Sequence, residues 1–290
     1  MNEYSIRKTF EALQKQDEPI EVRIVSGKAT FSGYFRDIDN LIEKLKPFDK
    51  VSTANIYFVL NKINDDCYDR QQCEMFIQNA KQTTSDGDIV HRDWLLIDID
   101  PVRSAGVSSS EKEKANAKNV ANAVYSYLKS KGFAKPISCD SGNGWHLLYK
   151  IRMANDESAR DTIKKFLQTL DMMFSDETAQ IDTSVFNASR ITKLYGTVAR
   201  KGNNSKTRPH RESSIIRIPD EVLVNRKALL QKVIDELPQP ETPTYKNNYN
   251  KEPFDIDNFI ARHSIRVSKI VNYGLGRKFI LEECVFDSNH

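Results

Sequence analysis

An α+β protein is what this sequence predicts, and three observations carry the expectation. Apolar β-branched runs alternate with amphipathic stretches of helical period between residues 94 and 185. Two of the strands follow one another across a four-residue turn, Ser141-Gly-Asn-Gly144, and Pro and Gly fall at the element ends. Hydrophobic residues make up 39% and charged residues 29% of the 290, which excludes disordered and low-complexity classes. No apolar run approaches the ~18–20 residues of a membrane span. The opening residues Met1–Phe10 lack a signal-peptide core. Cys67, Cys73, Cys139 and Cys284 form no CxxC pair, so neither a disulfide framework nor a complete zinc site is expected, and a reducing cytoplasm fits.

In chain order, a strand is expected at Glu21–Val25, then an aromatic stretch Phe31–Phe35, an amphipathic segment Leu41–Leu45 and a β-branched run Ile56–Leu60. Together they make residues 1–90 a small mixed α/β module. Trp94–Asp100 is apolar up to its acids and stopped by Pro101, which predicts a buried strand. Ser110 with Glu113 has capping-box spacing, Val120, Val124, Tyr127 and Leu128 form the stripe of the helix behind it, and Gly132 suits its C-terminal end. A strand Pro136–Asp140, the glycine turn and a strand Trp145–Ile151 make a hairpin. A second helix spans Glu157–Phe174, with Ile163, Phe166, Leu167, Leu170 and Phe174 on one face, and Ile181-Asp182 is a last short strand. The order β-α-β-β-α-β predicts a ferredoxin- or RRM-like antiparallel sheet with both helices on one face and the other face open. With a closing helix at about Asp220–Glu236, this makes a module of residues 91–236. The Pro-rich stretch from Leu237 predicts a linker over 237–252, and 253–290 is expected to be a small helical appendage, one helix with room for a hairpin.

Asp98 and Asp100 are two apart on a strand, so both side chains leave one face. Adjacent carboxylates after an apolar run are costly unless a cation shares them. Hard ions such as Mg²⁺ or Mn²⁺ take such oxygen ligands, whereas the plain alternative is a strand end emerging into solvent. Alternation puts His146, Leu148 and Lys150 on one face and Trp145, Leu147 and Tyr149 on the other. The small residues of the preceding turn are expected to leave backbone N–H groups free for phosphate. Asp182 arrives on the fourth strand. In a sheet of this order the first strand lies between the third and fourth, so Asp98, Asp100, His146 and Asp182 can converge. Net charge is only +3, but residues 190–217 hold eight Lys and Arg against Glu212, a local excess suited to an anionic partner. Carboxylates able to hold metal, a histidine and a run of cations are the parts of a phosphate-handling site.

Three stretches, Trp94-Leu-Leu-Ile-Asp-Ile-Asp-Pro101, Ser141-Gly-Asn-Gly-Trp-His146, and Ile181-Asp182 followed by Asn187-Ala-Ser-Arg-Ile-Thr-Lys-Leu-Tyr-Gly-Thr197, resemble in that order the motifs of the archaeo-eukaryotic primase superfamily. The resemblance is to its primase-polymerase branch, found in plasmid, phage and mobile-element replication proteins. Ile56–Asn61, Asp100–Arg103 and Ser108–Ser110 resemble further segments of that branch, so the similarity covers about residues 20–220.

The resemblance implies a template-dependent DNA primase-polymerase. It would transfer nucleotides from NTP or dNTP to a growing 3′-hydroxyl on single-stranded DNA by a two-metal reaction. By position, Asp98, Asp100 and Asp182 would bind two Mg²⁺ or Mn²⁺ ions and, with His146, form the catalytic set. His146 would contact the phosphates of the incoming nucleotide beside Ser141, Asn143 and Gly144. Arg190 and Lys193 would clamp the triphosphate with help from Lys201, and Arg200, Lys206, Arg208 and Arg211 would guide the template. Many relatives carry Ser two residues before the His; here Gly144 removes that hydroxyl and leaves backbone N–H or Ser141 in its place. Cys284 and His290 would open a zinc ribbon whose remainder is absent. A helicase, or another replication or CRISPR-associated protein, is the implied partner, and no membrane is involved.

A non-catalytic single-stranded nucleic-acid-binding module on an RRM-like sheet is the competing reading. It calls for exposed aromatic residues on the open face, where this sequence puts acids and a histidine. A sugar-nucleotide transferase would use Asp98 and Asp100 but leaves Arg190 and Lys193 without a purpose. A rolling-circle nicking enzyme needs two neighbouring metal-binding histidines, and the five histidines here are scattered.

Overall fold

A computed structural model describes residues 1–16, 18–237, 254–273 and 276–283. The chain divides into two units, Met1–Gln239 and Pro240–His290. In the first unit, α1 (Glu3–Ala12) starts at Asn2, whose side chain accepts from the Ser5 N–H, and it buries Ile6, Thr9 and Phe10. The sequence reading did not anticipate this helix. The hairpin β1 (Ile20–Ser26) and β2 (Ala29–Phe35) turns at Gly27, whose φ of +58° suits glycine. α2 (Ile38–Asp49) is capped by Asp37 and buries Leu41, Ile42 and Leu45. β3 (Ala54–Val59), β4 (Lys62–Ile63) and β5 (Ile77–Gln78) precede the long strand β6 (Ile89–Pro101).

α3 (Glu111–Ser130) carries the capping box of Ser110 and Glu113. It is followed by β7 (Ile137–Asp140), β8 (Trp145–Ala154), α4 (Glu157–Phe174) and β9 (Ala179–Ile181). Then come β10 (Ile191–Lys193), β11 (Val198–Ala199), β12 (Arg211–Glu212), β13 (Ser214–Arg217) and α5 (Lys227–Ile234).

Two sheets result. The first has strand order β10-β3-β1-β2-β5; the second runs β13-β7-β8-β6-β4, with β9 beside the other end of β6. β6 thus lies between β8 and β9, antiparallel to both, with Asp98 opposite His146 and Ile99 opposite Ile181. One hydrophobic cluster joins Phe10, Val22 and Phe58 to Leu95, Ile97, Val124 and Leu167, so both sheets and their helices share a core.

Two expectations need correction. The face expected to be open is covered, because β10 pairs with β3 of the first sheet and brings Ile191, Thr192 and Lys193 opposite Leu96, Asp98 and His146 across a cavity. The closing helix is shorter than Asp220–Glu236. Asn225 stops it from starting earlier: its backbone N–H and side-chain Nδ2 both donate to the Lys150 carbonyl (2.8 and 3.1 Å), and its Oδ1 accepts from the Ala134 N–H (2.8 Å). That geometry requires non-helical backbone, and the helix begins two residues on.

The second unit holds a short helix, α6 (Ile256–Arg262), and the hairpin β14 (Val267–Tyr273) and β15 (Gly276–Leu281). Most of the expected linker, with Cys284 and His290, lies outside the described residues. Cys67, Cys73 and Cys139 are free thiols, and among the described residues no helix is long and apolar enough to cross a membrane.

Asn61 governs the register of β6. Its Oδ1 accepts from the Asp93 and Trp94 N–H groups at 2.9 and 3.0 Å, where the β6–β8 register slips between Arg92 and Trp94, and its Nδ2 donates to the Ala188 carbonyl at 2.9 Å. A slip of one residue reverses which side chains face which layer, so the position of Asp98 and Asp100 depends on this irregularity. Asn61→Ala leaves these buried groups unpaired and should cost about 3 kcal/mol. A lowered urea midpoint at unchanged slope checks it.

Candidate active site

Between the sheets lies a cavity of about 320 Å³. The end of β6 supplies Asp98 and Asp100, the glycine turn Ser141 and Asn143, the start of β8 His146, and the residue after β9 Asp182. From the opposite side come Asn55 and Tyr57 on β3, Arg190, Thr192 and Lys193 at and in β10, and Lys201 beyond β11. Residues far apart in sequence meet because β6 is flanked by both β8 and β9, and because β10 crosses to the other sheet.

The acids are held from several directions. Asp98 Oδ1 lies 3.2 Å from His146 Nε2, and His146 Nδ1 is 2.7 Å from the buried Tyr195 hydroxyl. Asp182 donates its N–H to the Asp98 carbonyl at 2.9 Å, and its Oδ2 accepts from Arg190 at 3.2 Å. Asp100, with its side chain 44% exposed, accepts from Arg103 at 3.3 Å. Burial opposes the Asp98 charge, yet His146, with Arg190 and Lys201 beyond it, holds that carboxyl below its ordinary value. Burial and then the neighbouring Asp98 charge push Asp100 up. Burial, followed by the charges of Asp98 and Asp100, also raises the Tyr57 hydroxyl.

The glycine turn is packed against its neighbours. A Cβ on Gly144 would sit 2.3 Å from the Ile99 carbonyl and 2.8 Å from Asp100 Oδ1, and one on Gly142, at φ +94°, 2.5 Å from the Ala199 side chain. Position 144 therefore has no room for a serine, and its hydroxyl is not simply missing. The turn amides are also less available than expected. The Ser141 N–H bonds the Gly144 carbonyl (3.1 Å), the Gly142 N–H bonds Asp140 (2.7 Å), and the Gly144 N–H bonds the Ser141 hydroxyl (2.9 Å). Asn143 is pinned through Oδ1, which accepts from the Ser109 N–H at 2.9 Å.

On the basic side, Lys193 is 5% exposed and donates to the Val198 carbonyl at 2.9 Å. Burial, then the charge of Arg200, lowers its ammonium to about 7, with Asp49 opposing. Its Nζ lies 5.6 Å from the Tyr57 ring, its cross-strand neighbour.

Three of the four arginines and lysines expected to guide a template are used within the fold. Arg200 bonds the Asp49 carbonyl at 2.7 Å, Arg208 makes two 2.7 Å bonds to Glu113, and Arg211 pairs with Glu111 at 2.6 Å and bonds the Ser109 carbonyl at 2.8 Å. They fasten the 200–211 segment to α2 and the start of α3. Lys206 is exposed at its crest and forms no ion pair among the described residues.

Sequence reasoning gave no role to Tyr195, Tyr57 or Asn55. Tyr195 lies inside the stretch Asn187–Thr197, but nothing in the pattern singles it out as the partner of His146. Asn55 exchanges two 2.7 Å hydrogen bonds with the Arg200 backbone and so sets Lys201 at the cavity rim.

Among the described residues, no three carboxylate, imidazole or thiolate groups already stand as a metal site. The donor set nonetheless suits a hard divalent cation: three carboxylates line one cavity, and burial together with the Asp98 charge opposes ionisation of Asp100, which a shared cation would relieve.

No protein-family model and no curated protein matches the chain. Among solved structures it is similar to the AEP domain of the cyanophage S-2L primase-polymerase. The identity is 12% and the TM-score 0.49, over 80% of this chain and 98% of that one. No residue's role is transferred from that likeness.

Gly144→Ala should displace the turn from β6 and lower the melting temperature, because its Cβ would meet the Ile99 carbonyl and Asp100 Oδ1, with the protein still folded by circular dichroism. Lys193, its ammonium lowered to about 7 by burial, should gain a proton if a polyanion such as inorganic triphosphate is taken up beside it. Calorimetry at pH 8 in two buffers of different ionisation enthalpy should therefore show proton uptake, and Lys193→Met should abolish it. Because the unfolded chain holds that proton up to its ordinary value of 10.5 and the folded one only to about 7, stability should rise with pH across this window. The methionine variant should lack that rise.

Proposed function

We propose that the chain is a nucleotidyltransferase of the primase-polymerase kind, building a strand from NTP or dNTP on a single-stranded DNA template. The observation that carries the reading is the meeting, in one cavity, of Asp98, Asp100, Ser141, Asn143, His146, Asp182, Arg190, Lys193 and Lys201, drawn from separate segments and arranged with acids on one wall and cations on the other. A triphosphate needs both walls: cations to neutralise its charge, and acids to hold the ions that position it. The β6–β9 sheet with α3 and α4 is read as a ferredoxin-like palm, and residues 1–90 as the module that closes it.

Asp98, Asp100 and Asp182 would hold two Mg²⁺ or Mn²⁺ ions, which when bound activate the attacking hydroxyl and stabilise the leaving pyrophosphate. Tyr195 fixes the His146 ring through Nδ1 and so turns Nε2 to Asp98 on the cavity wall, from where it would reach phosphate oxygens once a metal ion takes up that carboxylate. Arg190, held against Asp182, and Lys193, recharged on binding, clamp the triphosphate from the β10 side. Lys201 stands at the entrance, and Lys206 is the cation of its segment left to meet a template. Arg200, Arg208 and Arg211 act by positioning that segment. The acidic wall disfavours a purely nucleic-acid-binding sheet, because carboxylates repel a phosphate backbone unless a cation intervenes.

The test is primer synthesis on single-stranded DNA with labelled NTPs or dNTPs and Mg²⁺ or Mn²⁺. Wild-type protein should make oligonucleotides and Asp98→Ala/Asp100→Ala none. Asp100→Asn should also be inactive yet melt at the same temperature or higher, since it removes repulsion with Asp98. Product from the double variant would refute the assignment. DNA binding with neither product nor nucleotide binding would replace it with the non-catalytic module.

A further inference from the structure

The face of the second sheet turned away from the cavity carries another concave site. A groove of about 190 Å³ lies between α3 and strands β7, β8 and β13, lined by Tyr125, Trp145, Lys118, Lys135 and Arg217, with Ser138 at its floor. Strand alternation places it there: Ser138 lies opposite Leu147 in the β7–β8 ladder, and both share the face opposite to His146.

Its chemistry is aromatic and cationic together. The Trp145 ring is fixed by its Nε1–H, which donates to the Lys114 carbonyl at 3.2 Å, and the Lys118 ammonium lies 5.2 Å from the ring centroid. Tyr125 and Trp145 are half-buried, leaving part of each ring to solvent. Lys118, Lys135 and Arg217 are exposed and form no ion pair among the described residues. This contrasts with Arg200, Arg208 and Arg211, each already neutralised by a carboxylate. Ile216, 56% exposed, extends the apolar surface beside Arg217.

We propose that this groove binds single-stranded nucleic acid, one base stacking against Trp145 and Tyr125 while flanking phosphates meet Lys118, Lys135 and Arg217. Aromatic faces take any base, and unpaired cations along a groove track a phosphate backbone. The volume argues for a strand over a free nucleotide: it falls below the ~300–1,000 Å³ of pockets that enclose whole small molecules. The groove therefore takes one unit, and the phosphates on either side lie along the surface where the cations are. His146 borders both the groove and the cavity, but the aromatic and cationic groups on which the proposal rests, Trp145, Tyr125, Lys118, Lys135 and Arg217, line the groove and not the cavity, so the proposal does not depend on the catalytic reading.

The protein has two tryptophans, and Trp94 is 3% exposed, so Trp145 is the reporter within reach of a bound base. An oligo-dT of about 12 nucleotides is titrated in EDTA, following both tryptophan quenching and anisotropy of the labelled strand. Wild-type protein should show quenching. Lys118→Ala/Lys135→Ala/Arg217→Ala, all exposed positions, should fold normally and bind about tenfold more weakly. Its slope of log affinity against log salt should be smaller by about 2, from ~0.7 per phosphate contact on a single strand. Equal affinity and slope in the triple variant, or no quenching in wild type, would overturn the proposal. Equal quenching by dTMP at the same concentration would overturn it in favour of a mononucleotide site. The triple variant keeps every cavity residue, so its primer synthesis on saturating template reports on the catalytic reading separately.

Discussion

Like charges crowded together on a largely buried strand are the constraint from which the rest of this structure follows. Asp98 and Asp100 sit two residues apart beneath a second sheet, and Asp182 is drawn against the Asp98 backbone. Each carboxylate costs desolvation and repels the others, so each is met by a counter-group: His146 at Asp98, Arg103 at Asp100, Arg190 at Asp182. Those counter-groups need supports of their own. His146 leans on the Tyr195 hydroxyl, and Arg190 stands at the head of β10, whose Lys193 ammonium is lowered to about 7 by burial and then by the Arg200 charge. The excess negative charge on one wall and the weakly held proton on the other both ask for a polyanion accompanied by cations.

Elements whose signal is local were legible in the sequence. Glu157–Phe174 has the helix bounds that its stripe indicated, and the Ser110 and Glu113 pair caps α3 as their spacing required. The candidate site residues also gather, because strand alternation and a hairpin suffice to bring Asp98 and His146 together. What escaped depends on long-range partners. The early end of α5 is dictated by Asn225 bonding to Lys150, seventy-five residues away in the chain. Nothing near Asn225 announces that contact. Nor could the sequence show that β10 would leave one sheet for another and turn an exposed face into the floor of a cavity.

The charge pattern teaches a related lesson. Residues 190–217 are strongly basic in sequence, but half of their eight cations are met within the fold by Asp49, Glu111, Glu113 and Asp182. A basic run reports a need for anions, and the protein's own carboxylates are anions too. Arg208 and Arg211 bind the 200–211 segment to the first turn of α3, where Glu111 and Glu113 also favour the helix dipole. Lys206 and Arg217 of that run, like Lys118 and Lys135 on the second sheet's other side, form no ion pair among the described residues.

The division of the cavity between two sheets also has a mechanical side. Asp98, Asp100 and His146 belong to one sheet, while Tyr57, Thr192 and Lys193 belong to the other. The cavity behaves as a gap between oppositely charged plates, and its width is set by the spacing of the layers, not by any loop. Each plate is held from behind: Phe58, alternate to Tyr57, packs on Phe10 of α1, and Leu95, alternate to Leu96, is buried on the far side of β6, so neither touches the contents of the gap. A change in their bulk alters the field between the plates, so the tuning of this site extends into the greasy interior behind it.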